Sequence, residues 1–249
     1  MPETIFASPL EFLAACLILV AAQFVYVLFG FGAGLIAVGS LALLIPDIRD
    51  VVVLLLLVNL PAETAVVAAS RRIVRWRAVV HAGAGVVAGI PLGTILLRAI
   101  EPVFLLSLLG GVLVAVGALF LALPRRGRSD WPSWTAPPVG LAAGVLTGLF
   151  GTGGPPLIVY YHLTGLGKAA FRGQLMALFL LMTLVRVPSY VVGGLVTGPR
   201  LMSGLALLPA VAIGAWLGHR VHVTIGEVVF RRLVSVLLLC MGALLLLRT

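Results

Sequence analysis

Arg186 is the one charged residue in this chain whose position topology alone does not explain. It lies near the middle of a long apolar run, residues 173–197. A cation in such surroundings is costly and faces a partner or a watery cavity. Two glycine clusters offer matching chemistry: Gly30, Gly32 and Gly34, and Gly151, Gly153 and Gly154. Glycine permits positive φ and close backbone approach. The pattern predicts a new helix after each cluster, and Pro155 and Pro156 suit a first helical turn. Two helix N-termini would then aim free N–H groups at one space, which is a ready anion site. Asn59 is the first-half counterpart of Arg186, so the site would be asymmetric and net positive. Tyr190, one turn beyond Arg186, could line the same cavity. The competing reading is structural: the glycines only permit tight helix packing, and Arg186 pairs with Glu63 to hold two helices together. Glu63 itself reads as a residue near a helix end, with proton coupling as the alternative.

The remaining chemistry-bearing residues point elsewhere. His81, His219 and His222 lie near basic breaks and read as interfacial. His162 follows Tyr160 and Tyr161 and fits an aromatic interface belt, with proton relay as the alternative. Trp131 and Trp134 read as interfacial anchors. Cys16 and Cys240 sit in apolar runs and read as small packing residues rather than a disulfide or metal pair. No phosphate-binding loop, H-E-x-x-H or G-x-S-x-G is present in the sequence. The expectation is a protein that is not an enzyme and needs neither metal nor cofactor.

The elements that must position these residues are membrane helices. The chain has 249 residues, 61% hydrophobic and 10% charged, with a mean hydropathy of +1.21. A soluble domain carries about 25% charged residues. A soluble enzyme, a disordered chain and a disulfide scaffold are excluded. Only helices or closed barrels satisfy the backbone in lipid, and long continuous apolar runs select helices. The net charge of +9 would suit nucleic acid in a soluble protein. Here the arginines cluster in short breaks between apolar runs, which is a topological signature, so no nucleic-acid partner is expected.

Breaks and runs give ten helical segments, five in each half. Residues 10–45 are too long for one crossing and are interrupted at the first glycine cluster. Residues 139–163 are interrupted at the second. The halves align with each other: Phe29-Gly-Phe-Gly-Ala-Gly34 matches Phe150-Gly-Thr-Gly-Gly-Pro155, and Gly93 matches Gly214, both at an offset of 121. Asn59-Leu-Pro61 matches Arg186-Val-Pro188 at 127. An internal duplication follows, with a repeat at 1–124, a cytoplasmic linker at 125–138 and a second repeat at 139–249. If each opening pair is short and folds back or crosses twice, the repeats are inverted. Twelve basic residues then lie inside, in the breaks at 71–77, 125–128, 168–172 and 220–232. Arg49, Arg98, Arg200 and Arg248 lie outside. A parallel arrangement gives 9 inside and 7 outside. The positive-inside rule favours inversion, with both termini outside a bacterial inner membrane. Inverted repeats with broken helices near the midplane are a transporter architecture.

The segments Gly30-Phe-Gly-Ala-Gly-Leu-Ile36 and Gly148-Leu-Phe-Gly-Thr-Gly-Gly-Pro-Pro-Leu157 resemble the TauE/SafE family. So do Phe171-Arg172 and Arg186-Val-Pro-Ser-Tyr190. The resemblance covers nearly the whole chain. It implies transport of small sulfur-containing anions such as sulfite, sulfoacetate, taurine or related sulfonates. The expected function is a secondary transporter of such an anion by alternating access, coupled to a proton or Na+. Its expected binding residues are Gly30, Gly32, Gly34, Asn59, Gly151, Gly153, Gly154, Arg186 and Tyr190. The alternatives are an anion channel or carboxylate carrier and, further off, an intramembrane lipid-phosphate hydrolase.

Overall fold

The computed structural model describes residues 4–29, 33–70, 76–122, 132–164, 168–220 and 227–248. These residues form ten α-helices and one 3-10 turn, Ser133–Thr135, with no strand among them. The helices are α1 (Pro9–Phe29), α2 (Ala33–Leu44), α3 (Ile48–Ser70), α4 (Trp76–Ala99) and α5 (Pro102–Ala122). The second half supplies α6 (Ala136–Phe150), α7 (Gly154–Leu163), α8 (Lys168–Val192), α9 (Gly198–Arg220) and α10 (Glu227–Arg248). The expected number and order of segments are thus observed.

Helix starts follow local chemistry. The Ser8 hydroxyl accepts from the Glu11 N–H, and the Glu11 carboxylate accepts from the Ala7 N–H, a reciprocal N-terminal cap. The Asp47 carboxylate accepts the Arg49 N–H at the start of α3. Pro102 opens α5, where its missing N–H is no loss. Within the membrane-length helices, Pro91, Pro188 and Pro209 each remove one ladder bond. Among the described residues five helices, α1, α4, α5, α8 and α9, are long and apolar enough to cross a bilayer. Their exposed faces carry residues such as Leu13, Leu17, Leu205, Ile213 and Trp216. One expectation needs amendment. The opening pairs are not both short, because α1 has 21 residues and no glycine or proline interrupts it after Pro9. Only α2, with 12 residues, and α6 and α7, with 15 and 10, are short.

The helices form two compact units, and each draws on both halves of the sequence. Unit 1 comprises Met1–Val58, Ile100–Leu123 and Val196–Thr249. In it α1 packs on α2 and α9, and α10 packs on α2 and α5. Gly214 and Gly218 on α9 make room for Val20, Gln23, Phe24 and Val27 of α1. Polar ties gather at one end of this unit. Arg200 reaches Asp50 at 2.6 Å and Asp47 at 3.8 Å. Arg49 donates to the Ile100 carbonyl, the Ser203 hydroxyl accepts from the Ile5 N–H, and Arg248 donates to the Leu43 carbonyl.

Unit 2 comprises Asn59–Ala99 and Pro124–Leu195. Its main contact is α4 on α6, and α8 packs on α4, α6 and α7. Gly85, Gly89 and Gly93 on α4 face Gly140, Gly144 and Gly148 on α6. A methyl group added at any of the six would strike backbone of the partner helix. This is the small-xxx-small geometry of close-packed membrane helices. At one end of the unit Gly193, just after α8, lies against Thr94 and Arg98 of α4.

Candidate functional site

The second glycine cluster builds a turn that only glycine allows at two points. Gly151 ends α6 in the left-handed region, at φ 70°, and its N–H donates to the Thr147 carbonyl at 2.8 Å. That closes the helix with the αL motif. The chain then doubles back along α6. At Gly153 a Cβ would collide with the Ala143 carbonyl and the Thr147 hydroxyl. Helix α7 starts at Gly154, with prolines in its first turn. Neither α6 nor α7 can by itself span about 30 Å of hydrocarbon at about 1.5 Å per residue, and residues 152–154 of the turn between them are buried.

The prolines change the expected chemistry. A helix N-terminus offers four free N–H groups, but Pro155 and Pro156 carry none. The donors left at this break are the amides of Gly153 and Gly154, together with the positive end of the α7 dipole. The first cluster adds less: Gly30 and Gly32 lie outside the described residues. Gly34 is in the first turn of α2, in unit 1.

One face of α8 closes the turn. Phe179 lies 3.3 Å from the Cβ position of Gly154. Thr147 donates to the Ala143 carbonyl at 2.8 Å and also approaches the Met182 sulfur at 3.3 Å. The Tyr190 hydroxyl donates to the Gly148 carbonyl at 3.0 Å, satisfying an acceptor that the end of α6 leaves open. Arg186 lies between Met182 and Tyr190 on this face. It is only 2% exposed. Its guanidinium carbon is 5.7 Å from the Tyr190 ring centroid, a cation–π distance. Its Nε has no hydrogen-bond partner among the described residues, and no carboxylate among them pairs with it. The side chain of Glu63 lies outside that set. A buried guanidinium whose Nε lacks a partner is costly to keep, and an anion would relieve that cost.

Five of the nine expected site residues, Gly151, Gly153, Gly154, Arg186 and Tyr190, lie in unit 2. Asn59 stands in α3 at the first residue of that unit, half-buried. Two polar residues near this face were not singled out as binding residues: Gln174 and Tyr161. Gln174 is 1% exposed and Tyr161 2%. The signal for Gln174 was available, an uncharged polar residue four-residue steps from Arg186 along an apolar helix.

Ten helices with exposed apolar faces, five of them among the described residues long and apolar enough to cross a bilayer, define a polytopic membrane protein. The sequence profile of the family described as sulfite exporter TauE/SafE matches residues 15–245. The chain belongs to this family, whose members are transporters and not enzymes. It is 27% identical over 224 residues to the probable sulfite/organosulfonate exporter TauE of Cupriavidus necator. The match covers 88% of this chain and 87% of that protein. No solved structure gives a significant match.

Proposed function

We propose that this protein is a secondary transporter that exports a small sulfur-containing anion, sulfite or an organosulfonate such as sulfoacetate, across a bacterial inner membrane. The observation that carries the anion site is Arg186, buried with an unpartnered Nε on the α8 face whose Met182 and Tyr190 reach the end of α6 just before the Gly151–Gly154 turn. The substrate class is taken from the family and from the name of the relative. In this reading the sulfonyl oxygens accept from the Arg186 guanidinium and from the Gly153 and Gly154 amides. Tyr190 holds the guanidinium in place through its ring, and the α6 end through its hydroxyl. A proton or Na+ would couple the movement, and alternating exposure of the turn would carry the anion across.

Inverted repeats fit the packing. Helix α1 pairs with α9 in unit 1, while α4 pairs with α6 in unit 2. Counted within each half, these are first on fourth and fourth on first, the reciprocity expected of two repeats related by a two-fold axis. The ties of Arg200 to Asp50 and of Arg248 to Leu43 also favour inversion. A parallel arrangement would put Arg200 and Arg248 on the face opposite Asp50 and Leu43.

The test is sulfite counterflow in proteoliposomes. The wild type should exchange labelled for unlabelled sulfite. Arg186→Gln, which keeps polar donors and loses the charge, should cut exchange by about 100-fold or more, since a hydrogen bond to a charged group contributes about 1.5–3 kcal/mol and this side chain offers several. Exchange at the wild-type rate in Arg186→Gln would refute the site. A channel would give sulfite flux without counterflow trapping.

A further inference from the structure

The Arg186 contact leaves a second group of buried polar atoms without an assigned purpose. Both polar atoms of the Gln174 amide, and the Tyr161 hydroxyl, are fully buried and have no hydrogen-bond partner among the described residues. Burial without a partner is costly for an amide or a phenol, and in the membrane no bulk solvent relieves it. Tyr161 has already used its ring, which stacks edge-on against Tyr160 with centroids 5.2 Å apart. Its hydroxyl remains to be accounted for.

The two residues are neighbours in height. Helix α7 ends at Leu163 and α8 begins at Lys168. Gly154, at the far end of α7, touches Phe179. The two helices therefore run antiparallel, with their short connection at 164–167. Tyr161 is two residues from that end along α7 and Gln174 six along α8, which separates them by about 6 Å in height. Arg186 lies about 18 Å farther along α8 from Gln174. The positions 174, 178, 182, 186 and 190 follow one another at four-residue steps, and all five are buried. One face of α8 thus carries the uncharged Gln174 near its basic end and the cation Arg186 farther along, while Tyr161 of α7 stands within about 6 Å of Gln174 in height.

We propose that Tyr161 and Gln174 form a second, neutral contact site for the transported anion, passed on its way to or from Arg186. The Tyr161 O–H and the Gln174 Nε2 donate to sulfonyl oxygens. The Gln174 Oε1 accepts from a water that the anion carries. Neutral donors hold an anion weakly enough to release it, as a site along a conduction path must. Two neutral donors and one acceptor suit an oxyanion with several oxygens and its water, and give no similar advantage to chloride. The basic breaks at this end of α8 put the site on the cytoplasmic side, where an exported anion enters. This inference rests on the transport reading above.

The experiment measures sulfite counterflow, with and without excess chloride, for the wild type, Gln174→Leu, Tyr161→Phe and Gln174→Asn. Each of the first two variants should raise KM for sulfite about tenfold, the loss of one hydrogen bond. Gln174→Asn, which keeps the amide, should raise it less. Thermal unfolding in detergent should show Gln174→Leu and Tyr161→Phe at least as stable as the wild type, because each removes an unpartnered buried polar atom. The upward shift of the unfolding midpoint by sulfite should shrink in both. KM unchanged in both variants, with Arg186→Gln inactive, would overturn the second site and leave the first. A KM change that tracks a lowered midpoint, without rescue by Gln174→Asn, would overturn it as well. Failure of the wild type to exchange sulfite would instead overturn the transport reading.

Discussion

Tyr190 performs two tasks that one oxygen atom separates. Its hydroxyl satisfies the Gly148 carbonyl and its ring faces Arg186. Tyr190→Phe keeps the ring and orphans the carbonyl, which costs about 1–3 kcal/mol. The expected result is a lowered unfolding midpoint in detergent with sulfite affinity close to that of the wild type. Tyr190→Leu removes the ring as well and should weaken sulfite binding, read by the midpoint shift that sulfite produces. If Tyr190→Phe lost affinity as strongly as Tyr190→Leu, the hydroxyl rather than the ring would serve the anion. At this scale the sequence was informative where a residue broke its surroundings. Arg186 in an apolar run and glycines beside paired prolines are visible without a structure. What the prolines remove was harder to see. They mark the start of α7 and at the same time delete two of its donors, so the backbone share of the site falls to Gly153 and Gly154. Gln174 carries a spacing signal, three four-residue steps from Arg186, but its burial, which separates it from an ordinary helix end, is visible only in the structure.

At the scale of elements, the α4–α6 contact holds the end of α6, and with it the glycine turn. Six glycines at four-residue spacing let the two backbones touch, and the carbonyls of Leu141 and Ile90 lie where side chains at Gly89 and Gly148 would go. The sequence carries both spacings, Gly85-x-x-x-Gly89-x-x-x-Gly93 and Gly140-x-x-x-Gly144-x-x-x-Gly148, but spacing does not say which helix is the partner. Helix α1 shows the difference: at the places facing α9 it bears Val20, Gln23, Phe24 and Val27, where α6 bears glycine. The second half was thus made for closer approach than its counterpart. Gly89→Leu should cost more than the usual 1–3 kcal/mol of overpacking, because rigid backbone, not a flexible side chain, stands in the way. Folded yield and monodispersity in detergent should collapse. Gly111 on α5 is the control. Nothing lies within 4 Å of its Cβ position, and Gly111→Ala should be neutral or stabilise by up to about 1 kcal/mol through helix propensity. Equal losses in the two variants would mean that the α4–α6 contact has no special role.

At the scale of the whole molecule, the strongest discriminator between parallel and inverted repeats is a set of contacts that charge counting cannot supply. Arg200 at the start of α9 reaches Asp50 at the start of α3, and Arg49 reaches the start of α5. In unit 2, Gly193 after α8 lies against Arg98 at the end of α4. With residues 71–77 in the cytoplasm, the ends of α3 and α4 alone place Arg49 and Arg98 outside. The Arg200–Asp50 and Gly193–Arg98 contacts then bring two second-half segments to that face. A parallel repeat would send both segments to the other side. The positive-inside balance and the contacts are independent grounds for the proposed inversion, since one counts charges and the other measures packing. The measurement is cysteine accessibility. In a background with Cys16→Ala and Cys240→Ala, Pro199→Cys should react with a membrane-impermeant maleimide in cells whose inner membrane is intact. Lys168→Cys should react only after that membrane is opened. A parallel arrangement predicts the opposite for both positions, so either pattern is decisive. Reaction of Lys168→Cys from outside would also move the Tyr161–Gln174 site to the far end of the transport path, turning an entry contact into an exit.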